Sequence, residues 1–145
     1  MEINWQLLRD EALGAMKKAY APYSKFPVGV AALVDDGRII TGCNVENASY
    51  GLTLCAECGL VSSLIASGGG RLIAFACVDV AGNALMPCGR CRQLLQEHGG
   101  SKLQMMTDEG VKTLNDLLPW AFGPEEIDTR ISNAISGEQG ADSHD

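Results

Sequence analysis

No stretch of this sequence stays apolar for the ~20 residues that a membrane-spanning helix needs, and basic charge is scarce. Eleven Lys and Arg stand against 18 Asp and Glu, a net charge of −7. The first absence argues against a transmembrane protein. The second argues against a DNA or RNA partner, because a nucleic-acid binder needs a basic footprint to displace counterions from phosphates. The charge deficit is local. Residues 125–145 hold Glu125, Glu126, Asp128, Glu138, Asp142 and Asp145 against Arg130 alone, so the first 124 residues are close to neutral. The opening MEINWQLLRDEALG is amphipathic and acidic, with no apolar run like that of a secretory signal, and a cytoplasmic protein is expected. Internal repeats and signs of a second domain are also lacking.

What is present is enough for one core: 145 residues, 46% hydrophobic and 20% charged, the profile of a single soluble domain. The expected division is one catalytic domain over 1–124 and a loosely ordered acidic tail over 125–145, rich in Ser and Gly. Asn4 is placed to cap a helix over residues 4–20, with Ile3 and Leu8 as a hydrophobic staple and Pro22 as its stop. Val28 to Val34 is apolar at every position, as in a strand covered on both faces. Asp36-Gly37 then signals a hairpin, and Arg38 to Val45 is the return strand. A helix over 56–67, a buried strand over 72–80, a helix over 89–98 and strands at 103–107 and 111–113 complete the order. The pattern β-β-α-β-α-β implies one mixed sheet with helices on both faces.

Six cysteines, at positions 43, 55, 58, 77, 88 and 91, suit metal binding or buried thiols better than a disulfide framework in such a chain. Cys43 and Cys77 fall inside apolar strands and are expected to be buried free thiols. Of the two histidines, His98 reads as a helix-end cap, and His144 lies in the tail. Cys55-Ala56-Glu57-Cys58 and Pro87-Cys88-Gly89-Arg90-Cys91 each sit where a loop meets a predicted helix start. Helix N-termini favour thiolate over thiol. Cys88 and Cys91, one turn apart, can aim at one point while Cys55 approaches from the other helix. That arrangement gives three thiolates around one zinc ion, a fourth position open to water, and Glu57 beside it as a proton carrier. Two alternatives stay open at this level: a closed structural zinc site using Cys58 as well, and a dithiol redox pair. The 29 residues between the two CxxC pairs exceed the ~15–20 of an ordinary zinc ribbon.

The segments AYAPYSKFPVGVA, GCNVENASYGLTLCAE, MPCGRCRQLL and DLLPWAFG, in that order over residues 5–124, resemble the small homotetrameric zinc-dependent cytidine deaminases that act on free nucleosides. The resemblance implies a three-layer α/β/α sandwich with a mixed five-stranded sheet. It implies one zinc per chain on Cys55, Cys88 and Cys91, and hydrolytic deamination of cytidine and 2′-deoxycytidine, a step of pyrimidine salvage, by zinc-activated water with Glu57 as proton shuttle. Asn44 and Glu46 are two apart at a strand end, so their side chains can face the same way. By resemblance they hold the ribose 3′-OH. Phe26 is implied to pack on the pyrimidine, the Ala56 N–H to meet the base carbonyl, and Tyr50 and Phe122 to complete sites across subunit interfaces. Trp5 and Trp120 fit either core or interface. Many relatives carry Arg directly after the CAE glutamate, where this chain has Cys58. Arg90 or Arg92 is therefore expected to offset the three thiolates. Without a basic cluster, a nucleoside monophosphate is expected to be a poor substrate. The rival enzymatic reading is a deaminase of a cytosine-containing antibiotic, as in the blasticidin S deaminases, against which the CNVEN clamp argues.

Overall fold

The computed structural model describes residues 2–141. Its order is α1 (Trp5–Met16), β1 (Gly29–Val34), β2 (Ile39–Cys43), a 3-10 turn (Tyr50–Leu52), α2 (Ala56–Ala66), β3 (Leu72–Val78), α3 (Gly89–Gly99), β4 (Gln104–Thr107), β5 (Gly110–Thr113), α4 (Leu114–Leu117) and α5 (Pro124–Ala141). The five strands lie in the order β2-β1-β3-β4-β5. β3 and β4 run parallel and every other pair antiparallel. This is the mixed five-stranded sheet of a three-layer α/β/α sandwich.

The alternation of strand side chains divides the core between the two faces. Ala31, Leu33, Ala74, Ala76 and Val78 pack with Leu8, Ala12 and Met16 of α1. Val30, Ala32, Val34, Phe75 and Cys77 pack with Leu60 and Leu64 of α2 and Leu95 of α3. All six residues of β1 are buried for this reason. Each fully buried leucine of these clusters contributes roughly 1.5–3 kcal/mol. Two glycines let helices lie directly on strands. A Cβ on Gly29 would fall 2.0 Å from the Ala12 carbonyl oxygen, and one on Gly42 would fall 2.3 Å from that of Ala56. Gly42 thereby seats the first turn of α2 against β2.

Asn4 caps α1 as expected, its Oδ1 accepting the Leu7 N–H at 3.0 Å. The helix nevertheless stops at Met16 rather than reaching 20. Tyr20 is drawn out of it by tertiary pairing: its N–H donates to the Asn44 carbonyl and its own carbonyl accepts the Glu46 N–H. The larger departure lies at the other end. The acidic segment expected to be loose forms α5 over Pro124–Ala141. Pro124 and Glu125-Glu126 make a good first turn, an Arg130–Glu126 ion pair adds one i,i+4 link at 3.3 Å, and Ile127, Ile131 and Ile135 recur at helical spacing. Ser and Gly content concealed that period. His144 lies outside the described residues. Trp5 packs against the α1 side of the core, whereas Trp120 is 99% exposed. Cys77 is buried as expected, but Cys43, at the edge of β2, is only half-buried.

Candidate active site

Cys55 is the N-cap of α2 and Cys88 the N-cap of α3, both in extended backbone, and neither side chain caps its own helix. Cys91 is buried in the first turn of α3. The three sulfurs lie within 4.8 Å of one another. Zinc with Zn–S bonds of about 2.3 Å holds its sulfurs ~3.8 Å apart in a tetrahedron, so this donor set fits that ion. The three thiols differ in their electrostatics. N–H groups of the first turn, that of Cys91 foremost, hold the Cys88 thiol below its ordinary value. Burial pushes Cys55 and Cys91 up, and the Glu57 carboxylate pushes Cys91 further. A divalent cation is what reverses such shifts and holds three thiolates together.

Cys58 is outside this cluster. Its sulfur instead accepts a hydrogen bond from Arg90 Nη1 at 3.5 Å. The guanidinium of Arg92 faces elsewhere, donating to the carbonyls of Pro87 and Leu117, both at 2.8 Å. Arg92 thus ties the turn before Cys88 to the end of α4.

Glu57, the second residue of α2, is 4% exposed, the one buried charged side chain among the described residues. Its carboxylate lies beside the thiols of Cys91 and Cys77. Burial, and then the Glu57 charge, drive the Cys77 thiol upward. Cys77 was legible in sequence only as a core thiol. Its position two residues from Phe75 on the α2 face of β3 is the signal that places it under Glu57.

Asn44 and Glu46 both reach the loop before β1. Asn44 Oδ1 accepts the Val28 N–H and its Nδ2 donates to the Phe26 carbonyl, each at 2.9 Å. Glu46 Oε1 accepts the N–H groups of Tyr23 and Ser24 at 3.0 and 3.1 Å, and its Oε2 accepts the Ser24 hydroxyl. These bonds, that of the Ser24 hydroxyl first, hold the Glu46 carboxyl below its ordinary range. Between the two, Val45 exchanges backbone hydrogen bonds with Leu54 at 3.0 and 2.9 Å. Leu54 immediately precedes Cys55, so this bridge joins the Asn44–Glu46 segment to the cysteine cluster.

Residues 3–107 match the family described as "Cytidine and deoxycytidylate deaminase zinc-binding region". The chain is 60% identical to the cytidine deaminase of Mycobacterium tuberculosis over 126 residues, covering 87% of this chain and 95% of that protein. The chain belongs to the zinc-dependent cytidine deaminase family. Solved structures agree. The crystal structure of cytidine deaminase from Mycobacterium leprae superposes with a TM-score of 0.80 at 63% identity, over 81% of this chain and 99% of that one. That from Burkholderia pseudomallei gives 0.75 at 42% identity, over 83% and 100%.

The family match spans the cysteine cluster, Glu57, Asn44 and Glu46 but ends before Phe122. Within this single deaminase-family chain, Phe26, Tyr50 and Phe122 are 51%, 77% and 59% exposed. Tyr50 meets Tyr23 edge-on at 6.3 Å, and the Phe122 carbonyl accepts from Gln93. Ala56 is buried at the first position of α2, where helix N–H groups have no intrahelical partner. A cleft of about 1270 Å³ between the end of α3 and residues 119–130 contains none of the cysteines. Ser24 is the site neighbour that sequence reasoning passed over.

Proposed function

We propose that the chain hydrolyses cytidine and 2′-deoxycytidine to uridine and 2′-deoxyuridine, releasing ammonia. One observation carries the reading: in a chain of this family, a three-sulfur cluster fit for zinc adjoins a buried carboxylate, Glu57, one helical position away from the Ala56 N–H. Cys55, Cys88 and Cys91 would hold zinc, which when bound would supply Lewis acidity that lowers the pKa of water toward neutrality. Glu57 takes a proton from that water and delivers it to N3 of the cytosine, which makes C4 electrophilic. After oxygen has added at C4, Glu57 takes the remaining proton of that C4 hydroxyl and passes it to the exocyclic amine; the C4–N bond breaks, ammonia departs and the C4 carbonyl of uridine remains. The Ala56 N–H meets the base carbonyl, and Phe26 packs on the ring.

The sugar reading is supported by what Asn44 and Glu46 have left to offer. A carboxylate has about four lone-pair sites, and three of those on Glu46 accept from Tyr23 and Ser24. Asn44 keeps one N–H of its amide after donating to Phe26. One remaining acceptor beside one remaining donor suits a hydroxyl, which is both. Assigning that hydroxyl to C3′ leaves the 2′ position unread, so both nucleosides are substrates. Arg90 is the side chain proposed to offset the thiolate charge, since its guanidinium reaches Cys58, while Arg92 braces the loop.

A homotetramer in which Tyr50 and Phe122 complete neighbouring sites belongs to the same proposal, supported by the exposure of these rings. A cytoplasmic setting is supported by six free cysteines, which suit a reducing compartment. No helix among the described residues is long and apolar enough to cross a membrane.

The test is the ultraviolet absorbance of cytidine incubated with zinc-loaded protein, beside Glu57→Gln. The cytidine spectrum is expected to give way to that of uridine with wild type and to persist with Glu57→Gln. Equal rates would remove Glu57 from the mechanism, and no conversion by zinc-loaded wild type would overturn the activity.

A further inference from the structure

One side chain in the loop from Tyr20 to Val28, that of Ser24, joins Glu46 to Phe26 and has no part in the mechanism above. Ser24 has one hydroxyl proton and two lone pairs on Oγ. The Phe26 N–H donates to that oxygen at 3.0 Å, and the hydroxyl proton goes to Glu46 Oε2. The Ser24 backbone N–H donates to Glu46 Oε1 as well. Between the two, Lys25 sits at φ 59°, a left-handed conformation that a non-glycine residue keeps only where its neighbours hold it. The Ser24 Oγ to Phe26 N–H bond closes a serine turn around it. One hydroxyl therefore links the carboxylate assigned to the sugar with the backbone of the ring assigned to the base.

We propose that Ser24 is a positioning residue for nucleoside recognition, fixing Glu46 and Phe26 as one hydrogen-bonded unit. The proposal rests on the reading of Asn44 and Glu46 as a sugar-hydroxyl clamp. Without the Ser24 hydroxyl, Glu46 Oε2 loses its protein donor, and the carboxylate is held only through Oε1, by the Tyr23 and Ser24 N–H groups, about which Oε2 can turn away from the sugar. The Phe26 N–H loses its acceptor at the same time. Glu46 then distinguishes less sharply between a nucleoside that has the 3′-OH and one that lacks it. Threonine, which carries its hydroxyl on the same Cβ with one added methyl, restores the link.

The experiment compares kcat/KM for cytidine and 3′-deoxycytidine in wild type, Ser24→Ala, Ser24→Thr and Glu46→Gln. Calorimetric binding of the product pair uridine and 3′-deoxyuridine gives a second readout. In Ser24→Ala the preference for the 3′-hydroxylated nucleoside is expected to shrink about tenfold, through KM more than kcat, as for one lost hydrogen bond to a charged group. Ser24→Thr is expected to keep the wild-type preference within about twofold. A Ser24→Ala variant that keeps the preference while Glu46→Gln loses it would overturn the role of Ser24 and leave the clamp standing. If Glu46→Gln keeps the preference too, the clamp reading fails and takes this inference with it.

Discussion

The cysteine cluster and the Asn44–Glu46 segment adjoin each other, yet they are built by opposite means. The cysteines are placed by two helix starts: Cys55 and Cys88 as N-caps, and Cys91 one turn beyond Cys88. Their aim follows from local backbone geometry once the two helices are neighbours. Asn44 and Glu46 are placed by bonds to residues 16 to 23 positions away in sequence, from Tyr23, Ser24, Phe26 and Val28. A metal site that a short motif can encode is robust to changes elsewhere. A pair of side chains assembled from a strand end and a distant loop depends on everything that holds that loop.

The largest expected effect comes from breaking the local side alone. Cys88→Ala should remove zinc and reduce deamination by about a thousandfold or more, with the loop hydrogen bonds of Asn44 and Glu46 unchanged. Zinc content and amide hydrogen exchange over residues 20–28 measure the two halves. Exchange that rises in that loop would show the two regions to be one cooperative unit.

Gly42→Ala strikes both regions at once, because Gly42 lies under the first turn of α2 and two residues before Asn44. A Cβ there falls 2.3 Å from the Ala56 carbonyl oxygen and 2.8 Å from the Leu60 nitrogen. Overpacking against backbone costs about 1–3 kcal/mol. The melting temperature should fall, and the rate should fall further than stability explains, since Ala56 and Glu57 ride on that turn. A variant with wild-type melting and turnover would mean that α2 is not seated as described.

The smallest effect separates two neighbouring arginines of α3. Arg90→Gln should lower kcat about threefold to tenfold with little change in melting, as expected for loss of a charge near the reacting centre. Arg92→Gln should lower the melting temperature more than kcat, because it frees the carbonyls of Pro87 and Leu117. Unchanged kcat in both variants would leave the thiolate charge offset by neither.

Much of this molecule was legible from residue order. The all-apolar run of β1, the Asp36-Gly37 turn, the helix starts at Ala56 and Gly89 and the CxxC spacings are local signals, and each stands within two residues of its expected place. Where reading failed, a distant partner or a hidden period had decided the matter. Tyr20 left α1 because Asn44 and Glu46 offered it strand pairing, and the isoleucines of α5 were masked by Ser, Gly and acidic composition.

The sequence by itself determined the donor types, their spacing and the sheet that carries them, because helix starts and strand alternation are properties of a few consecutive residues. The set Cys55, Cys88 and Cys91 expected from sequence is the one that clusters, while only the tertiary structure decided the surroundings of the other cysteines. Cys58, one turn past Cys55, points to Arg90 instead, and Cys77, on another strand, comes to rest beneath Glu57. The same holds for Ser24 and Glu46, whose bond spans 22 positions of chain. Such pairings exist only after the sheet and loops have closed, since nothing in the intervening residues encodes the distance between them.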